Sequence, residues 1–237
     1  MISIPYYDCY GTIIYIRFIK KYKEGEKLMM TGSWIAFEIT MSINYLRKYH
    51  NDLEEMIELK SEGFGSWMDE MTATLDSDTA ESFNEFHNNE YWELSNEFPN
   101  TLRKSIFNMS YSYFEHQLKK ICSHLTKRGD SLPRKSRYES MIQFYRSYIE
   151  KKSGRILDGR EEVWKRINDY REIRNNLTHE YGDCVKITRT LEGTVNRISD
   201  VEIENYEIYL GKGFVEQFID SIEQYLQYVE QSLTKDS

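Results

Sequence analysis

Hydrophobic and polar residues alternate along most of this chain with the period of an α-helix. The clearest segment covers residues 101–129, where apolar side chains recur at spacings of three and four. Thr101 or Asn100 is placed to cap its start, and Gly129 is placed to end it. The stripe consists of Leu102, Ile106, Met109, Tyr113, Phe114, Leu118, Ile121 and Leu125. This pattern predicts a long amphipathic helix.

Three further helices are predicted after it. The first covers residues 137–154 and ends at Gly154, where a left-handed residue would stop it. The second begins near Asp158, because Glu161 follows three residues later as in a capping box. Arg174 occupies an otherwise apolar position of its stripe, and Gly182 follows as a C-terminal glycine. The last helix covers residues 213–233.

The sequence between these helices and before them is less regular. Residues 185–210 are rich in β-branched side chains, and Glu192-Gly193 could turn a short hairpin there. In the first hundred residues we expect two helices, the second capped by Asp78 with Glu81. Residues 11–22 fit a strand or a helix. We therefore predict an all-α fold with a short β-hairpin insertion. Pro99 divides it into a mainly helical, acidic region (1–99) and a helical domain (100–237).

Composition narrows the class of protein. Apolar residues make up 40% of the 237 residues and charged residues 30%, which is typical of a globular protein. No run of 18 apolar residues is long enough to cross a membrane, and the start lacks the basic region of a secretory signal. Three widely spaced cysteines indicate neither a disulfide framework nor a zinc cluster. We therefore expect a cytoplasmic protein with no metal and no cofactor.

Charge is distributed unevenly along the chain. The overall net charge is −8, but residues 51–100 hold fourteen acidic residues and one basic residue, a net of −13. Residues 119–137 hold seven basic residues and one acidic residue, a net of +6. Two interpretations stay open: solvated faces of opposite sign, or a basic path for an acidic ligand in the C-terminal half.

The stretch REIRNNLTHEY, residues 171–181, concentrates side chains that suit phosphate chemistry. On a helix, Arg171, Asn175 and His179 share one face. Arg174 precedes His179 by five residues and so lies about 140° from it. The two can converge only if the helix loosens near Thr178 or if a second copy of the chain completes the site.

These residue types fit cleavage of RNA without a metal. Arginine binds phosphate oxygens and stays charged, and histidine exchanges protons near neutral pH. The 2′-hydroxyl of the RNA would attack the adjacent phosphorus while arginine stabilises the added negative charge. A purely structural interpretation also stands, because basic residues in the last turn of a helix complement its dipole.

The segment RNNLTH resembles the R-x(4–6)-H motif of the HEPN family, with Arg174, Asn175 and His179 as its matching residues. The earlier helix also resembles a HEPN helix at Tyr113, Phe114, Glu115 and Leu118. This resemblance covers residues 100–231. It implies a helical bundle that pairs as a homodimer, and a metal-independent endoribonuclease acting as a microbial toxin or antiviral defence effector.

The resemblance also implies roles for individual residues. Arg174 would stabilise the scissile phosphate, His179 would act as general acid or base, and Asn175 would orient the substrate. The RNA backbone would follow the basic residues Lys119, Lys120, Lys127, Arg128 and Arg171. Tyr181 would be an AMP acceptor if the protein has a nucleotidyltransferase antitoxin as partner. The alternative is a non-catalytic HEPN module that binds a nucleotide or a partner protein, with Arg174 as an interface anchor.

Overall fold

A computed structural model describes residues 2–7, 13–18, 27–126, 130–137, 139–179 and 188–234. It confirms the prediction of an all-α fold with a short hairpin insertion. The elements in chain order are β1 (Ile2–Tyr7), β2 (Ile13–Phe18), α1 (Lys27–Thr72), α2 (Ser77–Trp92), a π-helical turn (Glu93–Glu97), α3 (Phe98–Leu125), α4 (Met141–Ser153), α5 (Glu161–His179), α6 (Arg189–Val195), β3 (Val201–Glu204), β4 (Glu207–Leu210) and α7 (Phe214–Thr234).

The centre of the bundle lies where α3, α5 and α7 meet, and aromatic rings fill it. Phe107 of α3 contacts Phe214 and Phe218 of α7 edge to face, with ring centroids 5.0 and 4.9 Å apart. Tyr170 of α5 packs on Phe218 at 5.0 Å. These four side chains are at most 1% exposed. Edge-to-face pairs of this kind add to the stabilisation from burial alone.

Helix α1 packs against α7 and α3 along its first half, where Ile39 and Ile43 are buried in the same core. Polar contacts hold it there as well. Arg47 reaches three carboxylates of α7, and Glu54 forms a two-pronged ion pair with Arg103 of α3 at 2.6 and 2.7 Å. The division of the chain at residue 99 stays a prediction.

The start of α3 differs from the predicted cap. The helix begins at Phe98 in continuation of the π-helical turn, and Pro99 occupies its first turn, where proline is tolerated. Asn100 therefore does not cap the helix. Its side-chain oxygen accepts from the backbone N–H of Leu210 at 3.0 Å, and its amide donates to the carbonyl of Ile208 at 3.4 Å. This residue ties the hairpin to the bundle.

The hairpin lies within the predicted region, but its turn is not at the predicted Glu192-Gly193. Glu192 and Gly193 belong to α6, which Thr188 caps by accepting a hydrogen bond from the N–H of Leu191 at 3.1 Å. The strands β3 and β4 pair antiparallel and turn at Asn205-Tyr206, both with positive φ. The predicted turn was wrong because burial of Leu191 and the cap favour a helical turn over the β-branched pattern.

Two other predicted helix boundaries can be compared with the structure. Asp76, and not Asp78, caps α2, because its side chain accepts from the N–H of Thr79 at 3.2 Å. Gly154 ends α4 in the left-handed conformation, with φ of 70°, as predicted.

The predicted start of α5 is close to the observed one. The helix begins at Glu161, whose backbone N–H donates to the carbonyl of Asp158 at 3.2 Å. The Glu161 carboxylate accepts a hydrogen bond from Arg146 of α4 at 2.9 Å. This contact fixes the start of α5 against α4. Gly182, the predicted stop, lies outside the described residues.

Beyond residue 54 the chain forms an antiparallel helical hairpin, residues 55–97, which we call the arm. None of its residues is buried, and it carries twelve acidic residues and one basic residue, Lys60. Its two helices meet through rings, such as Trp67 against His87 at 5.0 Å and Phe83 against His87 at 4.6 Å. No helix within the described ranges has the length and apolar character needed to cross a membrane.

Candidate functional site

Residues 171–179 form the C-terminal turns of α5. The helix stays wound through His179, and the Thr178 hydroxyl donates to the carbonyl of Arg174 at 3.0 Å. Asn176 makes the same kind of bond to the carbonyl of Glu172 at 2.8 Å. The helix therefore does not loosen at Thr178, and the backbone separates Arg174 and His179 by about 140°.

Arg174 rests on α3. The centre of its guanidinium lies 5.3 Å from the ring centroid of Tyr111, a cation–π contact. Its Nε is buried and has no hydrogen-bond partner among the described residues. The aromatic face holds the guanidinium in place without neutralising its charge.

Other arginines of the bundle are held differently. Arg47, Arg103, Arg146 and Arg197 each lie within hydrogen-bond distance of at least one carboxylate. Such pairs largely cancel the charge of the guanidinium at short range. Arg174, packed on a ring, stays able to attract an anion from outside.

The pKa shifts of Tyr111 and Glu115 indicate which charged groups lie near them. Burial raises the pKa of Tyr111, and the positive charges of Arg171 and Arg174 oppose that shift. Burial also raises the pKa of Glu115, with Arg174 again opposing. Arg174 therefore lies near both Tyr111 and Glu115, and Arg171, one helical turn earlier on α5, lies on the side of Tyr111.

Of the remaining residues of the predicted site, the structure describes some fully and others only in part or not at all. Asn175 is partly exposed on α5. His179 has a helical backbone, but its side chain lies outside the described residues, as does Tyr181 altogether. The roles predicted for these residues stay predictions.

The lysines of the predicted basic path do not all lie on one side of α3. Lys119 is exposed, one turn after Glu115, and so shares the face that carries Tyr111. Lys120 forms an ion pair with Glu38 and so points toward α1. Lys127 and Arg128 lie outside the described residues. Among the described lysines of the predicted path, Lys119 is therefore the one that adds a positive charge on the Tyr111 face of α3, next to the arginine pair.

Two features of this region were not found from the sequence. Tyr111 and Glu115 were not singled out as partners of Arg174, although their i,i+4 spacing places them together. A pocket of about 280 Å³ also opens on another side of α5, lined by Arg166, Tyr170, Arg197, Ile198, Ser199 and Gln217. In this pocket Arg197 is paired with Asp169 at 2.5 Å, which reduces its free positive charge.

Comparison with known proteins gives no match: no family model, no curated protein and no solved structure is similar to this chain.

Proposed function

We propose that this protein is a metal-independent endoribonuclease of HEPN type, acting as a microbial toxin or defence effector. The observation that carries the proposal is the state of Arg174, which an aromatic ring holds in position and which keeps an unpartnered buried Nε among the described residues. Arg171, one turn earlier, adds a second positive charge. Two neighbouring arginines suit a phosphodiester, whose oxygens match the planar guanidinium.

The chemistry would proceed by attack of the RNA's own 2′-hydroxyl. As the new bond from the 2′-oxygen to phosphorus forms, the proton of the hydroxyl leaves to a base. The bond from phosphorus to the 5′-oxygen breaks, and that oxygen receives a proton. The products are a 2′,3′-cyclic phosphate and a 5′-hydroxyl. Arg174 would stabilise the negative charge that accumulates on the phosphoryl oxygens.

His179 would handle the protons. Its backbone lies in the last turn of α5, where the helix dipole favours a positively charged imidazole. A protonated imidazole can donate to the leaving 5′-oxygen. Asn175 would orient the ribose or the phosphate.

The helical geometry favours a site shared by two copies of the chain. Since α5 is helical through His179, the backbone places Arg174 and His179 of one copy about 140° apart around the helix axis. In a homodimer whose α5 ends face each other, Arg174 of one copy can act with His179 of the other. Lys119 and Arg171 would then guide the RNA backbone toward this cleft.

A mixing experiment tests the shared site. Arg174→Ala and His179→Ala proteins are each inactive under this proposal. When they exchange subunits, about half of the pairs are mixed, and each mixed pair keeps one of two sites intact. The mixture should recover about a quarter of the wild-type activity. No recovery despite proven subunit exchange would refute the shared site, and full activity of either single variant would refute the catalytic roles.

Tyr181 enters as a conditional part of the proposal. If a nucleotidyltransferase antitoxin is the partner, AMP on Tyr181 would place a negative phosphate close to the arginine pair and compete with RNA. Mass spectrometry after co-expression would detect the adduct. A silenced complex with unmodified Tyr181 would exclude this mode of inhibition.

A further inference from the structure

One carboxylate lies beside the candidate site and has no partner within the described part of the chain. Glu115 follows Tyr111 by one helical turn on α3, so the two side chains share a face. Side chains of a helix lean toward its N-terminus, and Glu115 therefore leans over the turn that carries Tyr111. The ring of Tyr111 holds the guanidinium of Arg174 at 5.3 Å. Glu115 thus lies on the side of α3 that Arg174 occupies.

Glu115 differs from the carboxylates that join the helices of the bundle. Glu38 accepts a hydrogen bond from a lysine, and Glu54 and Glu150 accept from arginines. Glu115 forms no hydrogen bond or ion pair with any residue that the structure describes, although it is partly buried. A carboxylate oxygen without a donor keeps its lone pairs free to accept a proton.

The groups around Glu115 suit a proton acceptor. Burial raises its pKa above the ordinary value of 4.5, and the positive charge of Arg174 on α5 opposes this shift. Burial also raises the pKa of Tyr145 on α4, and the negative charge of Glu115 adds to that shift, so Tyr145 lies on its other side. Lys119, one turn further along α3, is exposed. A carboxylate with a raised pKa is a stronger base than an ordinary one.

The cleavage proposed above needs a base that has no residue assigned to it. In an in-line displacement the attacking 2′-oxygen and the leaving 5′-oxygen lie on opposite sides of the phosphorus. The base and the acid therefore act from opposite sides of the phosphate. In the shared site His179 comes from the second copy of the chain, whereas Glu115 and Arg174 come together from the first.

We propose that Glu115 is the catalytic base that accepts the proton of the 2′-hydroxyl, beside the phosphate bound by Arg174. The assignment of Glu115 rests on the proposed ribonuclease function. As the bond from the 2′-oxygen to phosphorus forms, the hydroxyl proton passes to a carboxylate oxygen of Glu115. As the bond from phosphorus to the 5′-oxygen breaks, that oxygen takes a proton from His179. Glu115 then releases its proton to water, and His179 takes one up.

The pH profile of RNA cleavage tests this role. Glu115→Gln keeps the size of the side chain but removes the base, and it should reduce the rate by about 100-fold or more. The wild-type rate should fall as pH falls through the raised pKa of Glu115, and the residual rate of Glu115→Gln should lack this fall. Glu115→Asp keeps a carboxylate and should recover part of the rate together with the fall. Equal rates for wild type and Glu115→Gln would overturn the proposal.

Glu230→Gln is the matched control. Burial raises the pKa of this glutamate of α7 as well. It lies near the start of α5, where the hydroxyl of Tyr228 accepts a hydrogen bond from the N–H of Gly159 at 2.9 Å. That end of α5 is about 20 Å along the helix from Arg174. Glu230→Gln should therefore cleave at the wild-type rate, and circular dichroism should show the same helix content in all variants.

A substrate with a different leaving atom separates the base from the acid. RNA with sulfur in place of the 5′-oxygen, at the linkage that the wild-type protein cleaves, releases a thiolate that needs no proton. His179→Ala should cleave this RNA at close to the wild-type rate, because the acid is no longer needed. Glu115→Gln should remain slow, because the 2′-hydroxyl still has to lose its proton. Recovery of Glu115→Gln by the sulfur substitution would contradict the role of Glu115 as base.

Mixing of inactive variants tests which copy supplies Glu115. Glu115→Gln with His179→Ala should recover about a quarter of the wild-type activity, because each mixed pair keeps one intact site. Glu115→Gln with Arg174→Ala should recover none, and recovery there would overturn the proposal. RNA left intact by the wild-type protein would refute both the proposed function and the role of Glu115. Cleavage that needs Arg174 but not Glu115 would refute only the latter.

Discussion

The bundle and the arm are both helical, but different forces hold them. In the bundle, Phe107, Tyr170 and Phe218 are removed from water and contact one another edge to face. In the arm, Trp67, Phe83 and His87 form a comparable ring cluster that stays partly exposed, on a hairpin crowded with carboxylates. Because stabilisation by apolar groups grows with the area removed from water, we expect the rings of the bundle to stabilise the fold more than those of the arm.

Substitution of a core ring should give the largest contrast between the regions. Phe107→Ala leaves a cavity between three helices and should lower the free energy of unfolding by about 3–5 kcal/mol. The exposed counterpart Phe86→Ala on the arm should change it by less than about 0.5 kcal/mol. Urea unfolding followed by circular dichroism measures both. Similar losses for the two variants would mean that the arm shares the packing of the bundle.

The next contrast concerns ion pairs at the point where α1 passes from the bundle to the arm. Glu54 is nearly buried and holds Arg103 with two hydrogen bonds, so Glu54→Gln should cost about 3 kcal/mol by leaving that guanidinium incompletely paired. Glu58, four residues later, forms an exposed pair with Lys212 at 2.7 Å. Glu58→Gln should cost less than about 0.5 kcal/mol. Thermal unfolding of the two variants side by side checks the difference, and equal costs would contradict it.

A smaller effect should appear as pH dependence. Burial lowers the pKa of His50 below its ordinary value of 6.5, although Glu54 and Glu216 nearby favour the charged form and Arg103 opposes it. The unfolded chain therefore binds a proton on His50 before the folded chain does. Stability that is present above pH 6.5 should be lost as pH falls from there toward the lowered pKa of the folded protein.

The matched variant for this effect is His50→Gln. Unfolding free energies measured at pH 7.5 and at successively lower pH should decline less for His50→Gln than for the wild-type protein. If the two proteins lose the same stability, the acid sensitivity arises elsewhere, for example from carboxylates of the arm.

The elements that could be predicted from the sequence are those whose apolar spacing extends over several turns. Helices α3, α4 and α7 belong to this group, and Gly154 ended α4 as expected. Helix α6 could not be predicted, because seven residues hold too few turns to outweigh a β-branched composition. The local cap at Thr188 and burial of Leu191 decide its conformation.

Only part of the candidate site could be predicted from the sequence. Arg174 stood out because a charged residue occupied an apolar position of α5. Its neighbour Tyr111 could not be inferred, because the two are 63 positions apart and their contact depends on how α3 crosses α5. Spacing along one helix predicts which residues share a face, whereas contacts between helices arise from packing of the whole bundle.

We propose that Arg174 acts on RNA, and the rate of cleavage of single-stranded RNA in the presence of a metal chelator tests this role directly. The wild-type protein should cleave and leave 2′,3′-cyclic phosphate ends, and Arg174→Ala should reduce the rate by about 100-fold or more. Arg166→Ala, an exposed arginine on another face of α5, should retain most of the rate. A chelator-resistant rate that is equal in wild type and Arg174→Ala, or RNA left intact by the wild-type protein, would contradict this proposal.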